Sequence, residues 1–378
     1  MGNKQEGIDM KKIISVICIG FLSVVSCQKA EDGWQGSISS DSGVTVVKNP
    51  VDPIYGPDAL TLEEELTIGA VDGPEEYMFQ QIRSLAVDDN AAIFVLDYGA
   101  KNIKYFNKEG EHIRTFSREG QGPGEVELPN ALLLSQKGDL YVADMSRLSH
   151  FTAEGDFIDS IPLKGMMFID HIDQNGNFYC LEIDHEKMVY ELKKFDPEMT
   201  YIRSFGESPL PTVELRKTGK RNAYFSIIRG EIINGNQVLC GHAAKGYILN
   251  IFDAKGRLLR RIEKDYNPVP VKQEHKDAVL EDTPNELRET LTFPDHFPPF
   301  RIMKADDEGR FYVMTYEKSE DENRSWHDVF DAAGRFITRI LLKARPLVIR
   351  DNKLYCIEED EDGYQFVKRY NMIWNFDE

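Results

Sequence analysis

A short hairpin pattern recurs six times along this chain, and no other feature limits its folding options so strongly. Each copy is a polar turn, a triplet of large β-prone residues, then a polar residue. The triplets are Ile93-Phe94-Val95, Leu140-Tyr141-Val142, Phe178-Tyr179-Cys180, Val238-Leu239-Cys240, Phe311-Tyr312-Val313 and Leu354-Tyr355-Cys356. The turns before them, such as Asn175-Gly176-Asn177 and Asn234-Gly235-Asn236, hold the residue types that accept positive φ in tight hairpins. A second hairpin follows most copies, as in Tyr105-Phe106-Asn107-Lys108-Glu109-Gly110 and Ile251-Phe252-Asp253-Ala254-Lys255-Gly256, with a further strand beyond it.

Each unit therefore supplies four short antiparallel strands, and units repeated at this interval bury their faces on one another. The expected fold is all-β: a six-bladed β-propeller of four-stranded antiparallel blades. Its ring needs closing. The last unit stops near Phe366-Val367-Lys368-Arg369-Tyr370 with three strands, whereas Leu62–Ile68 is an orphan strand ahead of the first unit. Pairing these two ends closes the ring and leaves no exposed sheet edge there.

The N-terminus points to export. Met10-Lys11-Lys12 opens a basic region, and Ile13–Val25 is an apolar run too short to span a bilayer permanently. It ends in Val24-Val25-Ser26-Cys27, which resembles the lipobox of bacterial lipoproteins. The resemblance implies acylation of Cys27, and attachment to the membrane through it. The following Gln28-Lys29-Ala30-Glu31-Asp32 is similar to the signal that sends Bacteroidota lipoproteins to the cell surface. The implied address is the outer membrane, surface-exposed or facing the periplasm. The domain reading is a signal peptide over 1–27, a flexible Gly-, Ser-, Asp- and Pro-rich tether over 28–57, and the propeller over 58–378.

Over residues 58–376 the hydrophobic-Tyr-Val-Asp, Phe-Asp-x-x-Gly and Gly120-Gln121-Gly122-Pro123-Gly124-Glu125 patterns resemble NHL-like and TolB-like propeller repeats. They are most similar to the six-bladed propeller lipoproteins of Bacteroidota. Such motifs specify a fold and leave function open.

Beyond Cys18 and Cys27, three cysteines remain, too few to pair off as a disulfide framework. Cys180, Cys240 and Cys356 share one repeat position with Val95, Val142 and Val313, so they read as core fillers. The chain carries 64 acidic and 45 basic residues, a net charge of −19 that disfavours nucleic acid as a partner.

Candidate site residues come from symmetry and from the innermost strands. Asp97, Asp144, Glu182, His242, Thr315 and Glu358 follow the triplets at equivalent places and would ring one mouth of the central channel. Carboxylates so placed suit Ca²⁺, the one cofactor the sequence suggests; they equally suit turn capping. Arg83, His171, Arg229 and Lys304 lie on innermost strands and could take an anionic ligand. Two insertions, 208–223 and 263–300, lengthen later units, the second with helices expected over 273–281 and 285–290. The sequence carries no nucleophile elbow, zinc-ligand spacing or phosphate-binding loop. The expected role is a non-catalytic module that binds a glycan, a peptide or an envelope protein partner. The alternative is a Ca²⁺-dependent hydrolase or lyase resembling the lactonase-type propellers.

Overall fold

The computed structural model describes residue 2 and residues 33–319, 324–343 and 346–376. The signal-peptide reading and Cys27 lie outside the described residues. The chain is a six-bladed β-propeller. Blade 1 runs outward through Ile82–Val87, Ile93–Asp97, Asn102–Phe106 and His112–Phe116, each strand antiparallel to the next. The other innermost strands are Ala131–Leu134, Met167–Ile172, Arg229–Ile233, Ile302–Ala305 and Pro346–Arg350. They neighbour one another in cyclic order, and the sixth returns to touch the first.

Burial follows from that ring. A blade is flanked on both faces, so its second strand reads as an unbroken apolar run; Ile93–Asp97 is buried at every position. The apolar core is divided into six clusters between successive blades. Phe94, Ile103, Leu132 and Phe151, for example, join blades 1 and 2. Cys180, Cys240 and Cys356 are buried in three of these clusters and unpaired. Burial among apolar neighbours holds the Cys240 thiol up at about 12, far from the thiolate state a nucleophile needs. The outer strand of blade 6 is Leu60–Ile68, antiparallel to Gln365–Trp374, with Val367 opposite Ile68.

The tether reading of 28–57 is corrected over residues 34–56. Ser37–Asp41 and Val44–Asn49 form a hairpin whose turn places Ser42 and Gly43 at φ of 50° and 84°. Val44–Asn49 then adds in parallel to Leu258–Lys264, the outer strand of blade 4, with Thr45 opposite Arg260. The run Val44-Thr45-Val46-Val47 is β-prone, and Val47 and Trp34 sink into the core between blades 4 and 5. Asn49 fixes this segment. Its Oδ1 accepts from the Trp34 indole at 3.2 Å and the Phe336 amide at 2.8 Å, and its amide donates to the Gly334 carbonyl at 2.9 Å. The chain continues along blade 5, where Ile54 and Tyr55 donate backbone bonds to Phe336 and Ile337. Residues 34–68 are thus a belt around blades 4, 5 and 6.

The meander also decides what shares a face. In every blade, the loop between second and third strands emerges on the same side as the linker from the previous blade. Both insertions are such linkers, one entering blade 4 and one leaving it. The first contains a helix that its sequence signals but that the sequence reading omitted: α1, Pro211–Thr218, with Pro at its start and Gly219 left-handed beyond its end. The second holds α2, Gln273–Glu281, and α3, Asn285–Arg288. Among the described residues, no helix is long and apolar enough to cross a membrane.

Candidate functional site

The two insertions are tied together above blade 4. Arg221-Asn222 pairs in parallel with Leu291-Thr292, and the Tyr224 hydroxyl donates to the His275 carbonyl at 2.8 Å. Three segments bring aromatic rings to one spot. Phe297 stacks on Tyr316 of blade 5 at 4.6 Å and 16°, and Tyr224 meets Phe297 edge-on at 4.6 Å. Such geometry is the one the ring quadrupoles favour, so it fixes the insertions as well as burying area.

Between the insertions the structure leaves two adjoining cavities. The larger, 620 Å³, is lined by Leu210, Tyr224, His242, Phe297 and Pro298, among others. The second, 470 Å³, lies toward the innermost strands of blades 4 and 5, and its lining includes Arg229, Arg301, Met314 and Tyr316. Phe225, Ser226 and Ala243 line both, so they form the wall between them. Phe225 is 41% exposed. The Phe225 ring is thus open to both cavities and offers each an apolar face.

Of the residues singled out in the sequence, Arg229 and His242 line these cavities. His242 Nε2 lies 3.1 Å from the Ser226 carbonyl, and burial holds its imidazole below the usual pKa, hence neutral. Its Nδ1 and the Ser226 Oγ are buried and, among the described residues, without a hydrogen-bond partner. The Arg301 guanidinium sits 5.3 Å over the Tyr316 ring. Burial raises the Tyr316 phenol, and the positive charges of Arg301 and Arg229 oppose that rise, which places both near the ring.

The other residues of the expected ring do not converge. Asp97 is fully buried, its oxygens accepting from the Gln80, Gln81 and Ala100 amides at 3.0 to 3.1 Å. Asp144 does the same for Glu127, Leu128 and Met145. Both hold the incoming linker of their own blade. Glu182 pairs with Lys193 at 3.0 Å, Glu358 with Lys343 at 3.0 Å and the Tyr370 hydroxyl at 2.6 Å, and Thr315 bonds the Trp326 carbonyl. The expected ring is therefore dispersed into local partnerships, and these oxygens do not fit a shared Ca²⁺. Among the described residues, no group of three His, Cys, Asp or Glu is placed to hold a metal ion.

On the innermost strands, His171 and Lys304 converge on Glu231, which the sequence reading missed. His171 Nε2 is 3.5 Å and Lys304 Nζ 3.2 Å from Glu231 Oε1. This bridge ties blades 3, 4 and 5 and occupies both basic groups. Arg83 is exposed at a bulge between Ile82 and Ser84, on the far side of the ring.

The comparisons with known proteins agree on architecture. A family described as a 6-bladed beta-propeller matches residues 70–212. No curated protein matches the sequence. An exported protein of Bacteroides fragilis superposes with a TM-score of 0.55 at 10% identity, covering 87% of this chain and 99% of its own. A member of the duf4221 family from Bacteroides vulgatus gives 0.54 at 12% identity, with 84% and 99% covered. Identities this low speak to the fold alone. A gluconolactonase from Xanthomonas campestris reaches 0.44 at 10% identity, covering 78% of this chain and 87% of its own, and carries no argument here.

Proposed function

We propose that this chain is an exported, lipid-anchored binding module whose ligand occupies the paired cavities over blade 4. The observation that carries the reading is the wall itself: two insertions, locked to each other, hold an exposed phenyl ring between two open cavities on a rigid scaffold. The export half rests on the leader, on the lipobox-like Cys27, and on the exported Bacteroides relative of the same fold. The binding half favours a glycan, a peptide or an envelope protein over a reaction, because the carboxylates that motivated calcium chemistry are engaged by amides and lysines.

The purified chain, screened on saccharide and peptide arrays, is expected to retain a defined set of ligands. Phe225→Ala should reduce that retention about tenfold or more without altering the thermal midpoint, since the ring is exposed. Retention that ignores Phe225 would move the binding surface elsewhere. The anchor is checked separately, by labelled palmitate: incorporation should require Cys27, and label in Cys27→Ser would contradict acylation there.

A further inference from the structure

We infer that the 470 Å³ cavity beside blade 5 is a site for an acidic saccharide, held by Arg229 and Arg301. The inference rests on the binding-module reading and names its ligand class.

Charge is the first argument. The ten residues lining this cavity include two arginines and no Asp or Glu, although the chain holds 64 acidic residues and a net charge of −19. On so acidic a chain, a concave patch with two arginines and no carboxylate in its lining is a local concentration of positive charge, suited to an anion at short range. Guanidinium forks suit planar carboxylates and also sulfate oxygens. Arg301 is held over Tyr316, and it begins the approach to the innermost strand of blade 5 as Arg229 begins that of blade 4. Both cations therefore lie at the same end of adjacent innermost strands, Arg229 as the first residue of its strand and Arg301 one place before the start of its own.

The rest of the lining argues for a sugar carrying that anion. Phe300, Ile302, Met314 and Ile227 give the cavity an apolar floor, and Phe225 adds an exposed ring. A bare inorganic ion would gain nothing from these surfaces, whereas the C–H faces of a pyranose pack on them. Ser226 Oγ, in the dividing wall, and His242 Nδ1, at the larger cavity, have no hydrogen-bond partner among the described residues, and a buried polar atom left so is destabilising. Ring hydroxyls, each both donor and acceptor, would satisfy these groups after a rotation of the serine side chain. The adjoining 620 Å³ cavity gives the next sugar units a place to lie. An acidic peptide would bring the charge but not this density of hydroxyls.

The test is calorimetric titration of the full chain with trigalacturonic acid, maltotriose and triglutamate. Trigalacturonic acid should bind, maltotriose should bind at least about tenfold more weakly, and added salt should weaken the acidic ligand selectively. Arg229→Gln with Arg301→Gln should cost about tenfold or more in affinity for the acid. Both arginines are exposed, and the thermal midpoint of the double variant, measured alongside, separates a lost ligand contact from a disturbed fold. Equal affinity for maltotriose, lost in Phe225→Ala, would overturn the acidic assignment and leave the binding module standing. Preference for triglutamate would overturn the saccharide. Failure of all three ligands, together with failure of the arrays, would remove both readings.

Discussion

Asp328→Ala is expected to destabilise the propeller by about 4 kcal/mol, because it strands the buried Lys264 ammonium and removes one of the two carboxylates on Arg339. Asp328 is 1% exposed. Its carboxylate accepts from the Tyr247 hydroxyl at 2.8 Å and from Arg339 Nε at 3.1 Å, and it faces Lys264 Nζ at 3.4 Å. Arg339 retains Glu317 at 2.7 Å, but Lys264 keeps the Asp265 carbonyl at 3.3 Å and the faces of Phe336 and Tyr247 at 4.4 and 5.2 Å, with no counter-charge of its own among the described residues. Desolvation already holds the Lys264 ammonium below its usual pKa, with Asp328 the main opposing charge. A cavity of 10 Å³ beside these groups has room for about one water and not for a hydration shell. The cluster lies under Pro298 and Pro299, so the lost pair also loosens the insertion that walls the groove. Urea unfolding should show the loss, with a thermal midpoint lower by roughly 8 °C. Asp328→Asn, which keeps an acceptor for Tyr247, should cost less. A loss under about 1 kcal/mol for the alanine variant would mean that the cluster is hydrated in solution.

Between about pH 6.5 and 4, above the range in which the paired carboxylates titrate, acid should destabilise the protein through a buried histidine. His327 is 2% exposed, and burial holds its imidazole down at about 4. Its Nδ1 lies 3.0 Å from the Ser325 carbonyl, and its Nε2 has no hydrogen-bond partner among the described residues. Once unfolded, the imidazole titrates near ~6.5. Between those values the unfolded chain binds a proton that the folded chain refuses, so stability falls as pH drops from about 6.5 toward 4. The full effect is about 3 kcal/mol, present as stability above the window and lost below it. His242 adds in the same direction, its pKa also lowered by burial. In His327→Leu the slope of unfolding free energy against pH should flatten across this window. An unchanged slope would show that His327 is reached by water in the native state.

How much of this could be read from the residues depends on the range of the interactions. The blades were legible because a hairpin is local: Asn234-Gly235 and its neighbours state a turn, and the triplet after it states a buried strand. Closure by Leu60–Ile68 followed from counting strands. The belt was not legible. Val44–Val47 looks like any short apolar run, and its partner Arg260–Ile262 lies in parallel more than two hundred residues away. Helix α1 could have been found, since Pro211 and Gly219 bracket it in the order helices prefer. Symmetry pointed to His242, but for a ring that the structure does not make, and placement on an innermost strand pointed to Arg229. They matter through the linkers on either side of blade 4. Arg301 and Phe225 had no signal, because a cavity wall forms only when Tyr224, Phe297 and Tyr316 arrive from three separate segments.

Hydrogen exchange of the full chain, with and without the tightest-binding saccharide from the arrays, tests the central claim most directly. The account predicts slowed exchange at 222–229, 242–247 and 296–302, the segments around the dividing wall, with the opposite face unchanged. Protection confined to the turns of that opposite face, or spread evenly over all the blades, would contradict it.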